Sequence, residues 1–172
     1  MVKGSFLSKK SHPRGQSLVE LALTLPIFLI LLIGVMEIAR VVFLYNAVFT
    51  ASREAARYGA STGITSAGVP HFDDCAGMRE RAKKTGILAN LTDADITIRY
   101  DSGPDSNGNT VVKGNCPIAA DSLALGDRIV VAVSTTYRPL IPVVQLGDLP
   151  IQSTTGRTLI KDLDVNWYPT PP

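Results

Sequence analysis

The side chains with chemistry to offer fall into three groups. Glu20 stands five residues after Gly15, at the threshold of a leucine-rich run, in the stretch RGQSLVEL (14–21). A carboxylate in that position is costly unless it meets a cation or reaches water. Cys75 and Cys116 are the only cysteines, and they can pair in an oxidising compartment. His71, four residues before Cys75, is the one histidine beyond the first 15 residues. With it Cys75 would form a metal pair or an activated thiol, but no second histidine or CxxC accompanies them, so neither role is expected. Asp101, Asp105, Asn107 and Asn109 gather oxygen ligands in one stretch. Their order lacks the glycine and terminal glutamate of an EF-hand, so a solvated loop is expected rather than a calcium site. There is no phosphate-binding glycine loop and no serine, histidine and acid set with support. The sequence therefore predicts no catalytic residue, no metal and no cofactor, and the chain is read as no enzyme.

These residues need elements to hold them. The chain has 172 residues, 45% of them apolar, and a formal charge of +2. That balance points away from a nucleic-acid partner. The charge is uneven: Lys3, Lys9, Lys10 and Arg14 lie in residues 1–15 without an acid, so the rest of the chain is slightly acidic. A basic leader beside an apolar run is a membrane pattern. The run from Leu21 to Met36 holds no charge, and with its flanks it extends over residues 18–39. A spanning helix needs about 20 such residues, and an apolar surface on every face does not suit a soluble helix. Pro26 inside the run should bend the helix near Ala22, which membrane helices tolerate. The purely basic side should stay in the cytoplasm, leaving the C-terminal part extracytoplasmic and its cysteines free to oxidise. The sequence after Met36, Glu37-Ile38-Ala39-Arg40, is a poor signal-peptidase site.

Helix-favouring sequence continues to about residue 60. A helix of that extent measures roughly 67 Å, about twice the hydrocarbon thickness, so its second half must project. Ala47, Ala51, Ala55 and Gly59 recur at every fourth position there. Such a ridge lets another backbone approach closely, either from a neighbouring subunit or from this protein's own globular part; the spacing alone leaves both open.

Residues 15–60 resemble the N-terminal region of the TadE-like proteins of tight-adherence (Tad, or Flp) pilus systems, which are minor pilins or pseudopilins of the type IV pilin superfamily. The resemblance is carried by Gly15, Leu18, Val19, Glu20, the apolar run with Pro26, Glu37 before Arg40, and AxREAARYGA at 51–60. The stretch LGDRIVVAVSTTYRPLIPVV (125–144) is similar, more weakly, to a strand segment of that family. The resemblance implies a prepilin leader, residues 1–15, cut between Gly15 and Gln16 by a prepilin peptidase, so that Glu20 becomes the fifth residue of the mature chain. It also implies other pilin subunits and the Tad secretion machinery as partners, with a role in pilus assembly and surface adhesion. A permanent single-pass membrane protein with an extracytoplasmic binding domain is the alternative.

The remaining sequence reads as an extracytoplasmic α+β domain over 61–166, with an extended tail at 167–172. Residues 61–70 suggest a loop, and 76–89 a short helix preceded by Asp73 and Asp74, on the side its dipole favours. Residues 95–100, 128–137 and 151–160 carry strand signals. The expected architecture is pilin-like: a long N-terminal membrane-spanning helix, then a short helix and a small antiparallel sheet. A domain of about 100 residues has a small core, and a Cys75–Cys116 disulfide would help to hold it.

Overall fold

The computed structural model describes residues 14–139 and 148–160. The leader before Arg14 and the tail at 167–172 lie outside the described residues. Helix α1 spans Arg14–Gly59 and α2 spans Cys75–Thr85. Four strands follow: β1 (Ile96–Asp101), β2 (Val112–Asn115), β3 (Arg128–Tyr137) and β4 (Leu149–Thr158). They form one sheet in the order β2-β1-β3-β4, with every neighbouring pair antiparallel. The fold class is α+β.

The chain divides after Ala39 into two units. Among the described residues the first is helix alone. It contains an 18-residue apolar window, none of it buried, and is the one helix among the described residues long and apolar enough to cross a membrane. The helix runs through Pro26 without interruption. The proline has no N–H to give to the Ala22 carbonyl, while the Thr24 hydroxyl donates to the Glu20 carbonyl at 2.9 Å.

The second unit, from Arg40 onward, holds the hydrophobic core. The C-terminal part of α1 contributes Ala47, Ala51 and Ala55, all buried, and beside them a second row, Val48, Ser52 and Ala56, buried as completely. Residues at i, i+1, i+4 and i+5 form one broad helix face. Met78 and Ala82 come from α2, and Ile98, Tyr100, Ile129, Val131 and Val133 from the sheet. The small side chains permit close approach: a Cβ placed on Gly59 would stand 2.4 Å from the Met78 sulfur and 2.5 Å from Ile129 Cδ1. The ridge at 47, 51, 55 and 59 is thus covered by this chain's own domain.

Helix α2 begins one residue earlier than its sequence suggests, because the Asp74 carboxylate accepts the Gly77 N–H as an N-cap. It ends at Thr85, and residues Ile87–Ala89 form a separate 3-10 turn. Strand β3 matches its expected bounds, while β1 and β4 are displaced by one or two residues. Strand β2 carries no sequence signal. It is a four-residue edge strand whose side chains are mostly exposed, so no apolar alternation marks it.

Candidate functional site

Two places carry the residues singled out from sequence. The first is the start of α1. Arg14, Gly15 and Gln16 lie in its first turn, which contains no acidic residue. Among the described residues a side chain on Gly15 would meet nothing within 4 Å, and they make no demand for glycine there. Glu20 is exposed, one helical turn beyond Gln16, and its carboxylate lies 3.4 Å from the Gln16 side-chain amide. Helical side chains lean toward the N-terminus, which brings this carboxylate back over residue 16. That proximity follows from the i, i+4 spacing. Leu21 and Met36, the ends of the uncharged run, are both exposed, as expected of a helix with no cover from its own chain.

The second place is the end of the domain around the disulfide. Cys75 and Cys116 are bonded, with their Cα atoms 5.8 Å apart. The bond joins the first residue of α2 to the residue following β2. Polar contacts reinforce it. Asp73 accepts the Ile118 N–H at 3.1 Å. The Tyr100 hydroxyl donates to the Phe72 carbonyl and lies 3.2 Å from the Cys116 sulfur. Burial, then the charge of Asp73, pushes the Tyr100 phenol far above its ordinary range. The Tyr58 hydroxyl donates to Asp74 at 2.6 Å, and this bond raises the Tyr58 phenol as well. Asp73 sits beside the two sulfurs, but sulfurs bonded to each other have no thiolate to offer a cation.

His71 does not approach Cys75 as a catalytic partner. Its Nδ1 lies 2.7 Å from the Ser61 hydroxyl, and its ring tilts against Tyr58 with centroids 4.8 Å apart. Among the described residues no carboxylate bonds the ring, so the pair lacks the orienting third group of a nucleophilic triad.

The oxygen-rich stretch is also divided. Asp101 is not part of the loop. It closes β1, faces Arg128 directly across the sheet, and its side chain is only 4% exposed. The Arg128 guanidinium donates to both carboxylate oxygens, at 2.9 and 3.1 Å, and holds the carboxyl below its usual range. Asp105 instead accepts the backbone N–H groups of Asn107 and Asn109, both at 2.8 Å. These bonds lower its pKa too. Asp101 and Asp105 thus bind different partners, the first Arg128 and the Gly103 N–H, the second its own loop. Sequence reasoning missed Arg128 and the hydroxyl cluster in which Ser52 meets Ser153 and Thr155 at 2.9 and 3.0 Å. The first depends on the β1–β3 register and the second on the packing of α1 against β4, and neither can be read along one segment.

Fold and site together define the class: one long apolar helix bearing a small, disulfide-bonded α+β domain. Residues 15–57 match the model of the TadE-like protein family, a quarter of the chain. Neither the curated proteins nor the solved structures include a match to the chain. The matched stretch contains the start of α1, the apolar window and most of the buried ridge.

Proposed function

We propose that the chain is a minor pilin or pseudopilin of a Tad-type pilus, not an enzyme. Residues 18–39 anchor it in the inner membrane with the basic leader in the cytoplasm. A prepilin peptidase cuts between Gly15 and Gln16, and the mature subunit then joins pilus assembly and surface adhesion through contacts with other pilin subunits and the Tad machinery. The observation that carries this reading is the TadE-like match across residues 15–57.

The start of α1 supports it. Among the described residues nothing requires glycine at position 15, whereas a peptidase groove that admits an extended backbone does favour a residue without a side chain. Cleavage exposes an α-amine with a reference pKa of about 7.7–8.0. A cation at the N-terminal end of a helix opposes the helix dipole. The Glu20 carboxylate, one turn away, offsets that charge, in its own chain or across to a neighbour. Lys3, Lys9, Lys10 and Arg14 hold the leader at the cytoplasmic face.

The mature N-terminus tests the reading. In a strain with active prepilin peptidase, mass spectrometry should find a chain beginning at Gln16, and Gly15→Leu should block the cut. Glu20→Ala should still be cut but should accumulate in the membrane. A mature chain beginning at Met1 or Val2 would refute the pilin reading and leave a permanent single-pass membrane protein.

A further inference from the structure

The domain bears an apolar rim at one end, and we infer that this rim docks on the lipid surface from which α1 emerges. The inference rests on the membrane-anchored reading above. Ile87 and Leu88, on the 3-10 turn after α2, are 77% and 69% exposed. Two adjacent aliphatic side chains left this open contribute nothing to the core. On α1, Phe43 is 61% exposed, and Val42 and Tyr45 are about half exposed.

These residues converge. Leu88 shares a shallow cleft with Arg40, Phe43, Leu44 and Tyr137. A second cleft, on another side of the same helical segment, is lined by Tyr45, Leu149 and Pro150 among others. Tyr137 and Leu149 face each other across β3 and β4. Both clefts therefore lie at the end of the sheet where β3 finishes and β4 begins. The loop holding Asn107 follows Asp101, whose partner Arg128 marks the opposite end of β3.

Chain continuity identifies the occupant. The apolar span reaches Ala39, and Val42, Phe43 and Tyr45 follow within six residues, roughly 9 Å of helical rise. The headgroup layer outside the hydrocarbon core is about 5–8 Å deep on each side. Side chains at that depth are typically aromatic or aliphatic with a cationic companion. The rim has this composition: the Arg40 guanidinium lies 5.4 Å from the centre of the Tyr137 ring, beside Phe43 and Leu88. A bilayer is already present at this point of the chain, so no additional partner is needed to cover the rim.

The full chain in single-copy lipid nanodiscs tests the inference. Cys75 and Cys116 are bonded, so a thiol introduced as Leu88→Cys, Asn107→Cys or Ile30→Cys can take an environment-sensitive fluorophore selectively. Lipids carrying a nitroxide near the headgroup report the depth of about 5–10 Å at which interfacial side chains lie, and lipids carrying it near the acyl-chain end report the middle of the hydrocarbon core, where residue 30 of the span lies. The label at 30 should be quenched, the label at 88 should lose about half its emission or more, and the label at 107 should be unaffected. Quenching at 30 without quenching at 88 would overturn the inference and leave the anchored reading intact. Absence of quenching at 30 would refute the anchored reading, and the inference with it. A label at 88 that is shielded only when two copies share a disc, without lipid quenching, would assign the rim to a second copy and overturn the lipid proposal.

Discussion

Replacing Ala51 by leucine separates two uses of the small-residue ridge. Ala51 has no exposed surface, and its Cβ would stand 3.1 Å from a Cβ built on Gly86, at the end of α2. The site is closed on that side, so three added carbon atoms must displace α2 or the sheet. Overpacking of this kind costs about 1–3 kcal/mol. Leucine and alanine differ little in helix propensity, so nothing on the helix side offsets it. For a domain of this size, 1 kcal/mol shifts Tm by roughly 3–6 °C, which gives an expected loss of about 3–18 °C. Scanning calorimetry of the full chain in detergent reads the domain transition directly. Gly86→Ala probes the same contact from the other side, since its Cβ would also stand 2.6 Å from Leu91 Cδ1, and it should destabilise in the same direction. An unchanged domain transition in Ala51→Leu, together with lost piliation, would refute the internal packing and make position 51 an intersubunit contact.

Two further outcomes concern the domain. Cys75 and Cys116 enclose a separation of 41 residues, so Cys75→Ser with Cys116→Ser should cost about 4 kcal/mol by the chain-entropy estimate. Calorimetry checks the loss, and intact mass without reduction should show native protein two hydrogens lighter than the dithiol. Asp101→Asn removes the charge that Arg128 meets through two hydrogen bonds and should cost about 1.5–3 kcal/mol near neutral pH. Because Asp101 is depressed in the folded state, its contribution is fully present above the unfolded carboxyl value of about 3.9 and fades as pH falls through the folded value. The difference in stability between wild type and Asp101→Asn should therefore shrink under acid titration below about pH 5; a difference that stays constant to low pH would show that the pair contributes no charge-dependent stability.

Local composition was enough to read the helical elements and three of the four strands. The uncharged run from Leu21 to Met36 reads as part of a helix long and apolar enough to cross a membrane, and the β-branched run from Arg128 to Tyr137 has a strong preference for a pleated surface. The relation of Gln16 to Glu20 was legible for the same reason: one helical turn joins them, and among the described residues no distant residue takes part. The destination of the Ala47–Gly59 ridge was not legible, because small residues at every fourth position admit any close neighbour. Met78, Ile129 and the second row at Val48, Ser52 and Ala56 determine that the neighbour is the chain's own sheet and α2. Asp101 likewise read as one oxygen ligand in a loop until the β1–β3 register set Arg128 opposite it and buried its carboxylate beneath the half-buried guanidinium. Pairing between strands depends on residues far apart in the chain, and periodicity along one segment carries no record of which partner lies across from it. The tertiary structure supplies that record, and with it the difference between a solvated acidic loop and a buried carboxylate held by an arginine across the sheet.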